Sequence, residues 1–219
     1  MKVYFISGLG ADRSIFKHIQ LPSHCEPVYL DWIPPVKNES LPGYALRLAE
    51  KIDPTEKFSL IGLSMGGMIA AEISRHFKPL HVVLISSVPS SQHLPKYYRF
   101  LGVLKLHKFL PISLFQRGAI LKRLFTTETA EDKRMLKTMI RKINVHFIRW
   151  GLDAILNWKN EEVPQKIIHI HGSHDEILPK RFTKPTHVIS KGGHLMIMNR
   201  AGEINRILAD VLGEGIHSQ

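Results

Sequence analysis

Cysteine is nearly absent from these 219 residues, with Cys25 standing alone. One cysteine excludes an internal disulfide framework and a cysteine-built zinc site. It also points to a reducing, cytoplasmic compartment. Long apolar runs are missing as well. The longest uncharged apolar stretch, Phe58 to Ala71, is interrupted by glycine and serine and falls short of the roughly 20 residues a membrane span needs. After Met1-Lys2, the run Val3-Tyr4-Phe5-Ile6 is too short for the core of a secretion signal and lacks a cleavage site, so a soluble chain, mature from Met1, is expected. Internal repeats and low-complexity tracts are missing too, and 44% hydrophobic with 22% charged residues excludes disordered and collagen-like classes. A chain of this length makes one domain, or one domain carrying an insertion, and its core needs no staple.

Acid is the other scarce component. Lys and Arg total 30 against 19 Asp and Glu, a net charge of +11. The shortage is local. Residues 91–150 hold thirteen basic side chains but three acidic ones (Glu128, Glu131 and Asp132), a net +10, and the rest of the chain is nearly neutral. Solvated helix faces are the plain reading of such an excess. Sharper readings are attraction of an anionic substrate, docking of an acidic carrier protein, or contact of the basic amphipathic stretch Lys96–Lys105 with a membrane surface. No nucleic-acid partner is expected, because no recognised binding motif accompanies the charge.

What is present is an alternation. Four apolar, branched runs bounded by glycine or serine look like buried parallel strands: Val3–Ser7, Phe58–Leu63, His81–Ser86 and Lys166–His171. Pro27–Leu30 and His187–Ser190 are weaker candidates. Helix-length segments lie between them at Asp12–Ile19, Pro42–Ile52, Met65–Phe77 and Leu195–Leu212. The pattern predicts an α/β fold: a mostly parallel, about six-stranded sheet with helices on both faces. It fails over 89–159, which has helical periodicity and no convincing strand, so a helical cap is expected there, with the core formed by 1–88 and 160–219. Within the cap, helices are expected over Tyr97–Lys108, Leu114–Leu124, from Thr129 (with Asp132 three residues on, as in a capping box) to Lys142, and over Val145–Trp158. Pro111 separates the first two.

Gly62-Leu63-Ser64-Met65-Gly66 matches G-x-S-x-G. That pattern arises by chance in roughly one chain in fifteen of this length, so the pentapeptide alone decides little. Its place between an apolar strand and a helix is more telling, since a nucleophile elbow requires that context. The plain alternative is a tightly packed glycine-rich turn. A serine nucleophile needs a base, and the base needs an orienting carboxylate. His171-Gly172-Ser173-His174-Asp175 follows a strand and supplies Asp175; Gly192-Gly193-His194 follows the last strand candidate and supplies His194. Asp153, Glu161 and Glu176 are rivals for the acid. His169-x-His171-x-x-His174-Asp175 invites a metal reading, since alternate strand residues share a face. It departs from the metallo-β-lactamase pattern at Ser173, however, and leaves the setting of Ser64 unexplained, so no metal and no other cofactor is expected.

With Ser7-Gly8-Leu9-Gly10 after the first strand, Gly62-Leu63-Ser64-Met65-Gly66, His171-Gly172-x-x-Asp175-x-x-Leu178-Pro179 and Gly193-His194, the chain resembles the α/β-hydrolase superfamily over essentially its whole length. The resemblance implies Ser64 as nucleophile, His194 as general base and then acid, Asp175 as its orienter, and an oxyanion hole from the backbone N–H groups of Met65 and Leu9. It departs from the family in having Ser7-Gly8 where His-Gly is common, and in beginning at what would be the family's third strand. The activity expected is that of a serine hydrolase, most simply a carboxylic-ester hydrolase acting on a small or acyl-chain ester, anionic or carrier-bound. The alternatives are a carrier-protein methyl esterase, a lyase using the same three residues for proton abstraction, or a non-catalytic binding protein on this fold.

Overall fold

The computed structural model describes residues 1–98, 129–142 and 144–213. Six strands form a single parallel sheet in the order β2-β1-β3-β4-β5-β6. They are β1 (Lys2–Ile6), β2 (Glu26–Tyr29), β3 (Phe58–Leu63), β4 (Val82–Ile85), β5 (Ile167–Gly172) and β6 (His187–Ile189). The most continuous apolar runs take the centre: every residue of β3 and β4 is buried, as expected of strands covered on both faces.

Helices α1 (Leu41–Ala49) and α2 (Met65–Ile73) cover one face, with Tyr44, Leu48, Met68 and Ile69 in its core. The other face is covered by α5 (Met196–Asn199), α6 (Ala201–Gly213) and a 3₁₀ turn over Arg13–Phe16, with Phe16, Ile197, Ile204 and Leu208 inside. Strand register aligns the C-terminal ends. Ile6 pairs with Gly62, Leu63 with Ile85, Ile85 with Ile170, and Gly172 with Ile189. The strands therefore end together, and the loops beginning at Ser7, Ser64, Ser86, Ser173 and Ser190 open at one edge of the sheet.

Two expected helices differ. Asp12–Ile19 yields just a single 3₁₀ turn over Arg13–Phe16, started by the Asp12 carboxylate, which accepts the Ser14 N–H at 2.9 Å. Leu195–Leu212 breaks at Arg200, whose backbone (φ −125°, ψ 24°) is not helical, giving α5 and α6.

Between β4 and β5, the described residues contain no strand. They form α3 (Ala130–Arg141) and α4 (Val145–Leu156). Thr129 Oγ1 accepts the Asp132 N–H at 3.0 Å, as its position before the helix suggested. The buried Asp132 carboxylate faces the core, 2.8 Å from Lys17 Nζ and 3.2 Å from His18 Nε2. Asn144 caps α4 through the N–H groups of His146 and Phe147. That helix packs Phe147 and Trp150 against Trp32 and Tyr44. Beyond it, Trp158 Nε1 donates to the fully buried Glu72 carboxylate on α2. Apart from Tyr97 and Tyr98, the helices expected over Tyr97–Lys108 and Leu114–Leu124 lie outside the described residues.

Candidate active site

Ser64 sits where β3 turns into α2, with φ 52° and ψ −120°. A non-glycine residue in this region costs energy and persists only where its surroundings over-determine it. Here they do. Ser64 N–H donates to Ile85 O at 3.0 Å, and its carbonyl accepts from Gly67 N at 2.9 Å and from Ser87 Oγ at 2.6 Å. The flanking glycines are required by space: a Cβ on Gly62 would fall on the Gly66 backbone, and one on Gly66 would fall on the carbonyls of Ile6 and Ser7. The turn leaves Ser64 half-buried at the N-terminus of a nine-residue helix, whose first N–H groups and dipole favour negative charge.

The loops after β5 and β6 bring in the other two residues. His194 Nε2 lies 3.0 Å from Ser64 Oγ, and His194 Nδ1 lies 2.9 Å from Asp175 Oδ2. Asp175 Oδ1 accepts the N–H groups of Ile177 and Leu178, each at 2.9 Å. His194 and Asp175 are both buried. Burial pushes the Asp175 carboxyl up, but the charge and hydrogen bond of His194 together with the Leu178 amide outweigh it, holding the group below the usual carboxylate range. Of the rivals for the acid, Asp153 sits on α4, Glu161 is exposed before β5, and Glu176 is exposed beside Asp175.

The loop carrying Leu9 passes directly over the serine: a Cβ on Gly8 would lie 3.4 Å from Ser64 Cβ. Ser7 Oγ donates to Ala11 O at 2.9 Å, closing this loop on itself. Trp32 Nε1 donates to the same carbonyl at 2.9 Å, and Ala11 N–H returns to Gly8 O. Met65, the first residue of α2, is fully buried. Gly151 of α4 packs against the side chains of both residues: a Cβ there would have to displace the end of the Leu9 side chain and would lie 3.2 Å from the Met65 sulfur.

Sequence reasoning missed Ser87, Trp32 and Gly151. A serine pair ending β4 and a glycine inside a helix were the available signals, and neither spacing relates them to Ser64. Two cavities flank the site. One of about 470 Å³ lies between the Gly10–Asp12 loop and the helices after β4, lined by Trp32, Ile33, Met139, Lys142 and Phe147 among others. The other, of about 790 Å³, touches His194, Asp175, Tyr97, Lys180, Arg181 and Lys191. Among the described residues, no group of three or more His, Cys, Asp and Glu side chains is arranged to hold a metal ion. Likewise, no helix among them is long and apolar enough to cross a membrane.

No protein-family model matches the sequence, and no curated protein matches it significantly. Solved structures are similar at low identity. MenH from S. aureus shares 17% identity over 98% of this chain and 94% of its own, with a TM-score of 0.75. A structure described as a putative non-heme bromoperoxidase, BpoC from Mycobacterium tuberculosis H37Rv, shares 17% over 97% and 92%, TM-score 0.72. The enol-lactonase from Burkholderia xenovorans LB400 shares 18% over 97% and 91%, TM-score 0.66. Taken with the six-stranded parallel sheet and the turn at Ser64, these likenesses establish that the chain has the α/β-hydrolase fold.

Proposed function

We propose that the protein is a serine hydrolase that cleaves carboxylic esters. The observation that carries this reading is the continuous hydrogen-bonded array from Ser64 Oγ through His194 to Asp175, built on a strained turn at a helix N-terminus. Ser64 Oγ attacks the acyl carbon while His194 Nε2 takes the hydroxyl proton. Asp175 holds the imidazolium through Nδ1–H. The backbone N–H groups of Met65 and Leu9 receive the oxyanion, each such donor typically worth about 3 kcal/mol of barrier. Collapse expels the alcohol, which takes its proton from His194. Water activated by the same histidine then cleaves the acyl-enzyme, releasing the acid and restoring Ser64. The reaction so written needs no cofactor.

An anionic or carrier-bound ester is the substrate class that the helical cap favours. Glu131 and Asp132 are turned to the core's Lys17. Lys133, Arg134, Lys137, Arg141 and Lys142 on and after α3 are exposed, with no acidic partner among the described residues. Lys142 also lines the largely apolar cavity beside the Leu9 loop, which suits an acyl chain ending in negative charge. Cytoplasmic placement is supported by the lone, buried Cys25.

The test is a panel of neutral and carboxylate-bearing esters of graded chain length, assayed at rising ionic strength with wild type and Ser64→Ala. Hydrolysis abolished by the substitution supports the reading, and kcat/KM for the charged esters should fall with salt relative to the neutral ones. Ester cleavage that survives Ser64→Ala overturns the hydrolase reading. An unchanged charged-to-neutral ratio overturns the substrate class alone.

A further inference from the structure

His169 and His171 lie on one face of β5 and are both buried, at 2% and 0% exposure. Their rings are nearly perpendicular (85°), and His169 Nε2 is 3.0 Å from His171 Nδ1. His171 Nε2 lies 2.7 Å from the Leu178 carbonyl oxygen and 3.4 Å from Asp175 Oδ2. The reaction outlined for Ser64 assigns no step to either histidine.

The partners fix where the protons are. A carbonyl can only accept, so His171 Nε2 carries hydrogen. A neutral imidazole has one N–H, so His171 Nδ1 is an acceptor and His169 Nε2 must donate to it. His169 Nδ1 then accepts, and Thr183 Oγ1 stands 3.4 Å from it. Every hydrogen bond in the chain Thr183–His169–His171–Leu178 points the same way. Reversing any one would set two donors or two acceptors against each other.

Leu178 is held at both ends. Its carbonyl receives His171, while its amide, with that of Ile177, binds Asp175 Oδ1. We propose that His171, with its tautomer set by His169, is a positioning residue for Asp175: it anchors the loop whose amides orient the carboxylate, leaving Oδ2 to His194. Neutrality of the pair is part of the design, because a proton on His171 would place a second cation on Asp175 in competition with His194. Burial favours the neutral form of both rings. Asp175 opposes this for His171, while His194 and Lys180 reinforce it. Around His169, His171 and His93 reinforce it and the Ser87 carbonyl opposes it.

The inference rests on the serine-hydrolase reading for its catalytic meaning, though not for its test. In ¹⁵N–¹H spectra of the intact wild type at pH 8, both imidazoles are expected as Nε2–H tautomers, and His169, held down to about 3, should not titrate between pH 8 and pH 5. The low-field Nδ1–H resonance of His194 against Asp175 is expected to vanish or move upfield in His171→Leu. In His171→Gln, whose side-chain amide can still donate to the Leu178 carbonyl, it should be retained. Second-order labelling of Ser64 by a fluorophosphonate should fall at least tenfold in His171→Leu and stay within about threefold of wild type in His171→Gln. An Nδ1–H tautomer of His171 at pH 8 overturns the proposal. So does a His171→Leu variant that keeps the His194 resonance and the wild-type labelling rate. Should His171→Leu not fold, the wild-type tautomers still decide. Wild type that shows the expected tautomers but never labels would sink the hydrolase reading and leave the positioning role standing.

Discussion

Lowering the pH from 8 to 5 should destabilise this fold markedly, and His169 should be a main cause. Burial, followed by the neighbouring His171, moves His169 down to about 3 from the 6.5 of a free imidazole. In the unfolded chain the ring takes its proton near 6.5; in the fold it stays neutral to about 3. Between those values the unfolded state binds more protons, so stability is complete above pH 6.5 and declines as pH falls. At pH 5 the loss from this one residue works out at about 2 kcal/mol, and each further unit costs roughly 1.4 kcal/mol until the folded ring itself titrates. His171 and His93, both also lowered by burial, act in the same direction. The carboxylates held low lose their contribution only below their ordinary values, 3.8 for Asp175, Asp132 and Asp53 and 4.5 for Glu39, and so lie outside this window. Urea unfolding at pH 8, 7, 6 and 5 should show the decline in wild type. His169→Gln should be less stable at pH 8, but its pH dependence should be smaller by about 2 kcal/mol. Wild type equally stable at pH 8 and pH 5, or a variant with the same slope, would refute the reasoning.

Three substitutions probe the supports of the site. Gly66→Ala should not yield folded protein, since its Cβ would meet two carbonyls at the end of β1; soluble expression and circular dichroism check this. Gly151→Ala should force the Leu9 side chain aside, and should slow Ser64 labelling by more than any change in melting temperature accounts for, since the helix itself gains by losing a glycine. Trp158→Phe removes the indole donor and deprives the fully buried Glu72 of one partner. It should cost about 1–3 kcal/mol by thermal denaturation, while Arg75, 3.3 Å away, still faces the carboxylate.

The sheet was legible because buried parallel strands read as unbroken apolar runs, and Phe58–Leu63 was placed to the residue. Ser64, Asp175 and His194 could be singled out because Ser64 directly follows β3 and the other two lie in the loops just after β5 and β6, where parallel topology gathers loops. The helix ends were harder to read. Local periodicity continues through Asp12–Ile19 and across Arg200, but the first segment makes one 3₁₀ turn and a non-helical backbone at Arg200 divides the second. The supports of the site were illegible for a different reason. Ser87 on Ser64's carbonyl, Trp32 on the Leu9 loop and Gly151 over Leu9 and Met65 are contacts between distant segments, and no short-range pattern encodes them. The charge count carried partial information: it located the basic excess, while the structure shows that Glu131 and Asp132 face the core's Lys17.

The hydrolase reading stands or falls on whether Ser64 Oγ is an activated nucleophile. A fluorophosphonate probe followed by peptide mass mapping measures this directly. One adduct per chain, on the peptide containing Ser64, lost in Ser64→Ala and strongly slowed in His194→Ala, is the expected result. Folded wild-type protein that takes no label, or labels equally well as Ser64→Ala, would contradict it.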